Sequence, residues 1–137
     1  MNKRKYGFRG YIGSRAYDGI STPQHIQNQV IRDFCKTHQQ TFLLSATEYA
    51  IPGCYIMLNT VVAELPKLNG MVMYSITMMP KNAAFRQRIY KAVQANAASL
   101  HFALENISAH ASADFTALED HITLNRVMEI PTVLKQP

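Results

Sequence analysis

The stretch from Gly7 to Ala46, GFRGYIGSRAYDGISTPQHIQNQVIRDFCKTHQQTFLLSA, decides the fold. It opens on a β-forming run, about Gly7 to Gly13, and closes on another, about Thr41 to Ala46. Between them lies a helix signal. Ser21-Thr22-Pro23 supplies a capping residue and a proline suited to the first helical turn. Ile26, Val30, Ile31, Phe34 and Cys35 then recur at helical spacing. Strand, helix, strand in that order predicts two parallel strands joined by a right-handed crossover.

The alternation continues towards the C-terminus. Pro52-Gly53 opens a second helix with Met57, Leu58, Val61, Val62 and Leu65 on one face, and Pro66 and Gly70 close it. A third strand follows at about Met71 to Ile76. A third helix runs from Lys81 to Asn96, with Phe85, Ile89, Ala92 and Val93 as its stripe. The fourth strand is Leu100 to Leu104. A last helix spans about Asp114 to Val127, capped by Ser112 or Asp114 and buried through Phe115, Leu118, Ile122 and Val127. The predicted fold is α/β and three-layered, a four-stranded parallel sheet in the order 2-1-3-4 with helices on both faces. One domain over residues 1–137 is expected, its core at about 7–106 and its C-terminal helix at about 112–128. The residues from Pro131 to Pro137 are expected to cross a surface or a partner.

The bulk chemistry narrows the function classes. Hydrophobic residues make up 47% of the chain and charged residues 17%, a globular balance. No apolar run approaches the ~20 residues that span a bilayer, and no apolar signal follows the basic segment Met1–Lys5, so a cytoplasmic protein without a membrane partner is expected. The two cysteines, Cys35 and Cys54, are expected to be reduced. The five histidines are scattered and form no metal-ligand spacing, so no metal is expected. The net charge of +5 is densest at Lys3, Arg4, Lys5 and Arg9, which reads as a solvated tail. No nucleic-acid partner is expected, whereas anionic small molecules are.

In open α/β sheets ligands bind beyond the carboxyl ends of the strands, near the switch in strand order. That rule selects Ser14, Arg15 and Tyr17 after the first strand, Thr47, Glu48 and Tyr49 after the second, Cys54 and Tyr55 beyond them, Tyr74, Ser75 and Thr77 at the third and Glu105 after the fourth. Cys54, ahead of a helix, is either a thiolate favoured by unpaired N–H groups or a small packing residue. His25, in the first turn of its helix, is either a proton shuttle or an exposed residue. Glu48 is either a general base at a strand tip or a loop residue paired with Arg15 or Arg9. Glu105 has the same two readings. Arg15 is either a clamp for a phosphate or carboxylate or a surface arginine. Gln24 and Asn28, one turn apart on the same helix, either bind sugar hydroxyls or form an ordinary polar helix face, and Tyr11 is a candidate for orienting hydroxyls.

From Gly7 to Asn106 the layout resembles the catalytic domain of serine recombinases, the resolvases. The Tyr-x-Arg-x-Ser strand end of that family reads Tyr11-Ile12-Gly13-Ser14-Arg15 here. Glycine stands for the arginine, and the serine comes one place early. The Asp-Arg-x-x-Arg positions read Thr77, Met78 and Lys81. Recombinase chemistry is therefore not implied. A second resemblance rests on Arg9–Arg15, Pro23–Asn28, Leu44–Tyr55, Tyr74-Ser75 and Leu100–Glu105. In these segments the chain resembles the sporadic carbohydrate cluster proteins of bacterial surface-carbohydrate gene clusters. That resemblance implies a place in surface-polysaccharide or glycan-precursor synthesis.

With no dinucleotide or Walker A fingerprint, no cofactor is expected. The expected function is epimerase- or isomerase-type proton transfer on a sugar or sugar acid. Cys54, Glu48 and His25 would carry protons. Tyr11, Ser14, Arg15, Gln24, Tyr49, Tyr55, Ser75 and Glu105 would hold the substrate. The alternative is a non-catalytic resolvase-like module that binds a sugar nucleotide or a partner enzyme. A homodimer is expected, because a second chain would complete a cleft on one edge.

Overall fold

The computed structural model describes residues 5–134. Its elements are β1 (Phe8–Gly13), α1 (Gln24–Thr37), β2 (Phe42–Glu48), α2 (Ile56–Glu64), β3 (Gly70–Met73), α3 (Ala83–Ala95), β4 (Ser99–Phe102), β5 (Ile107–Ala109) and α4 (Ser112–Leu134). The sheet order is β2-β1-β3-β4-β5. The first four strands pair in parallel, in the predicted order, and β5 adds an antiparallel edge on β4. The expectation of four strands is thus corrected to five. A hairpin is all that an antiparallel neighbour requires, and here Asn106, at φ 57°, turns the chain back between Phe102 and Ile107.

The helices lie where the apolar spacing placed them, with shifted ends. Pro52-Gly53 does not open α2. Ile51–Cys54 forms a turn in which the Cys54 N–H donates to the Ile51 carbonyl (3.1 Å) and Gly53 takes φ 76°. Proline at the second position and a positive-φ glycine at the third are what a type II turn requires. The helix starts only at Ile56. In α3 the start moves to Ala83, because Asn82 caps it by accepting from Phe85 N–H at 2.9 Å. In α4 Asp114 accepts from the N–H groups of His110 and Ala111, which fixes the start at Ser112. Phe115 and Leu118 are buried and Ile122 half-buried, and the Val127 side chain lies outside the described residues. The helix backbone continues to Leu134, which corrects the surface-crossing tail expected from Pro131 onward; Lys135–Pro137 lie outside the described residues.

The larger core lies on one face of the sheet, where Tyr11, Met71, Met73, Leu100 and Phe102 meet α2, α3 and α4 through Leu58, Val61, Ile89, Val93 and Phe115. The opposite face packs Ile12 and Val72 against Ile31, Phe34 and Cys35 of α1. Alternate residues of buried strands serve both layers. Among the described residues no helix is long and apolar enough to cross a membrane.

Candidate functional site at the carboxyl edge of the sheet

The β2 tip is organised around one carboxylate. Glu48 ends β2 and is 1% exposed. Its Oε1 accepts from the Tyr11 hydroxyl at 2.7 Å and from Leu58 N–H at 3.1 Å. Its Oε2 accepts from Tyr49 N–H (3.1 Å), Met57 N–H (3.0 Å) and the Cys54 thiol (3.8 Å). The N–H groups of Met57 and Leu58 belong to the first turn of α2, so Glu48 caps that helix across the turn. Burial alone would push its carboxyl up, but the bonds from Tyr11, Met57, Leu58 and Tyr49 outweigh it and hold it below its usual range. Burial and the bond to Glu48 push the Tyr11 phenol well up.

Glu48 is therefore neither a free general base nor a partner of Arg9 or Arg15. Arg9 pairs with Glu64 at 3.4 Å, and Arg15 donates to the Tyr49 carbonyl at 2.9 Å. The idea that helix N–H groups favour a Cys54 thiolate is likewise corrected: Cys54 precedes the helix, and those N–H groups serve Glu48.

Two concavities open beside this tip. A cleft of about 980 Å³ is lined by Arg15, Tyr17, Cys54, Tyr55, Lys81 and Phe85, among others. The Arg15 guanidinium sits 4.8 Å from the Tyr17 ring centre and 5.2 Å from that of Tyr55. Stacked this way, it keeps its charge on the cleft wall. Asp18 and Gly19 both have positive φ and turn a small hairpin that ends in the Tyr17–Ile20 bridge. Lys81 meets Asp18 at 3.5 Å. A smaller cavity of about 250 Å³ lies at the strand-order switch between β1 and β3. Arg15, Tyr17, Gln27, Tyr74, Ser75 and Glu105 line it with others, and Arg15, Tyr17 and Thr77 line both spaces. Glu105 accepts from the Ser75 hydroxyl (2.7 Å) and Ile76 N–H (2.9 Å).

The structure gathers Arg15, Cys54 and Tyr55 in the cleft, and Arg15, Ser75 and Glu105 in the cavity. It keeps Gln24 and His25 exposed on α1, lining neither space. Tyr49 is exposed and acts through its backbone, while Ser14 donates to the Glu48 backbone carbonyl at 3.5 Å. Gln27 emerges only here. Gln27, 3% exposed, accepts from Gly13 N–H (3.1 Å) and donates to the carbonyls of Gly13 and Thr22 (both 2.7 Å). Its signal lay in spacing, for Gln27, Ile31, Phe34 and Cys35 share one helical face that is otherwise apolar. Tyr17 fills the space beside Gly13, where a Cβ would come within 2.2 Å of its hydroxyl. Burial pushes that phenol up to about 12 although Arg15 draws it down. Among the described residues no three or more His, Cys, Asp or Glu side chains gather as metal ligands.

Comparison with known proteins bears on the fold. No family model matches the chain, and no curated protein sequence matches it. Among solved structures, the N-terminal catalytic domain of TP901-1 integrase aligns over 93% of this chain and 99% of its own, with a TM-score of 0.56 at 12% identity. A resolvase family site-specific recombinase from Streptococcus pneumoniae aligns over 92% and 93%, with a TM-score of 0.59 at 14% identity. The chain has the fold of a resolvase-type catalytic domain. This corrects the expectation of a protein without a nucleic-acid partner: the fold is shared with an integrase and a site-specific recombinase, so it gives no ground for that exclusion.

Proposed function

We propose that the chain is a sporadic carbohydrate cluster protein of the bacterial cytoplasm that moves a proton on a sugar acid during glycan-precursor synthesis. The observation that carries the reading is the half-buried Cys54 thiol in the large cleft, hydrogen-bonded to Glu48 and sharing that cleft with the stacked Arg15 guanidinium. In this reading Cys54 Sγ is the proton carrier. After its S–H proton has passed to solvent, Cys54 Sγ takes the proton from a hydroxyl-bearing carbon beside a carbonyl and returns it to the carbonyl carbon, while the hydroxyl proton passes through water to the former carbonyl oxygen. Arg15 holds the substrate's carboxylate through its planar fork, and the faces of Tyr17 and Tyr55 lie along the same wall. Glu48 is a positioning residue that ties Cys54 to the start of α2.

The test incubates the protein in deuterated water with a panel of sugar acids, glucuronate among them. Deuterium should enter the carbon beside the carbonyl, read by NMR, and Cys54→Ala should slow entry at least about tenfold. Undiminished exchange in Cys54→Ala, or no exchange with any member of the panel, overturns the reading.

Nucleic-acid binding is the second reading, favoured by the shared fold and by the cationic side chains of Arg15 and Lys81 in the cleft. A labelled duplex titrated at two salt concentrations tests it, because phosphate contacts weaken steeply with salt.

A further inference from the structure

The small cavity at the β1/β3 switch shares Arg15 with the cleft and adds Glu105, which proton transfer in the cleft does not use. Two opposite charges line it, Arg15 and Glu105. Both are half-buried, and among the described residues neither takes part in an ion pair. Glu105 is held by neutral donors only, the Ser75 hydroxyl and Ile76 N–H, one on each oxygen. An ionised carboxylate has about four lone-pair sites, so roughly half of its accepting capacity stays open. Arg15 gives one N–H to the Tyr49 carbonyl and lies against two rings, which leaves most of its five donors. Charges drawn partly out of water without a counter-charge are costly, and each of these is fixed by its neighbours. Between them the lining is largely apolar, with Ile20, Tyr74, Met78 and Leu104. Ile20 and Leu104 are 68% and 54% exposed at the rim, where an occupant would cover them.

We propose that this cavity is a separate binding site for a small dipolar molecule, its ammonium group on Glu105 and its anionic group on Arg15. The volume of about 250 Å³ limits the occupant to about one ring or one amino acid. An amino-sugar phosphate and an α-amino acid share this chemistry. The site shares Arg15 with the proton-transfer reading but needs neither Cys54 nor turnover.

The test is calorimetric titration of the full chain with four probes: glucosamine 6-phosphate, glucose 6-phosphate, glucosamine and leucine. Glucosamine 6-phosphate should bind at least tenfold more tightly than glucose 6-phosphate, which has no ammonium, and than glucosamine, which has no anion. Glu105→Gln, which keeps a carbonyl for Ile76 N–H, should abolish the advantage over glucose 6-phosphate. Arg15→Gln should abolish the advantage over glucosamine, and it keeps the test open if Glu105→Gln melts. Leucine binding that both substitutions weaken tenfold supports the same site with an amino acid as its source. The proposal is overturned if glucosamine 6-phosphate and leucine bind no better than the single-charge probes, or if their binding ignores both substitutions. The readout is binding, so a protein inert in deuterium exchange can still pass it, and an active one can fail it.

Discussion

Glu48 and Glu105 both sit at the carboxyl end of a parallel strand, on the same edge of the sheet, yet they meet opposite fates. After β2 the chain makes a turn and enters α2, so the helix's N–H groups point back at the carboxylate and bury it among five donors. After β4 the chain doubles back into β5, and Glu105 accepts only from the Ser75 hydroxyl and the first N–H of the short 3-10 turn Ile76–Met78, which leaves an open side towards the cavity. The element that succeeds a strand, more than the residue at its tip, decides whether a carboxylate becomes architecture or stays available to a ligand.

Truncation is the strongest way to break this contrast. Glu48→Ala leaves the Tyr11 hydroxyl and the N–H groups of Met57 and Leu58 unpaired in the interior, and it should cost about 3–5 kcal/mol in urea unfolding at pH 7. Glu105→Ala should cost about 1–2 kcal/mol. Equal losses would erase the distinction. Acid titration sharpens it by separating the strands in pH. His101 on β4 is buried between Ser99 and Ser108, and burial, helped by His38 and His110, lowers it to about 4. The unfolded chain takes up that proton near 6.5, the folded one only near 4, so stability falls as pH drops between those values. The loss is roughly 3 kcal/mol, and His101→Gln should flatten it. Glu48, held below its usual range, stabilises the fold above that range, and its share is lost only at lower pH. A wild-type curve flat from pH 7 to 4 would deny the His101 part. The smallest effect is expected at the β1 tip, where Gly13→Ala meets only the far end of the Tyr17 side chain and should cost about 1 kcal/mol. Unchanged stability would mean that the ring yields freely.

The sequence made much of the fold legible because its signals are local. The stripe from Ile26 to Cys35, the apolar runs and the helix-breaking prolines act within a few residues of themselves. β5 escaped notice because Ile107–Ala109 is three residues long, too short to show a period. The β3 run shortened because Ser75 turns the chain by accepting from Thr77 N–H. For the site, the rule of strand tips found Arg15, Cys54, Ser75 and Glu105. It did not find that Glu48 is saturated, since Met57 and Leu58 lie nine and ten residues further on and donate through their backbones. It named Tyr17 at the β1 tip but not its place as a wall between two spaces, which depends on the Asp18-Gly19 turn folding its ring onto Gly13.

That contact between Tyr17 and Gly13 also constrains the order in which this protein can change. In the recombinase pattern the place of Gly13 belongs to an arginine. Here no side chain at that position fits until the tyrosine ring has left, because even a methyl group would overlap its hydroxyl. A change to an arginine-bearing tip must therefore begin at Tyr17. That first step opens the partition between cleft and cavity and takes one ring from Arg15, so both spaces change before an arginine can stand there.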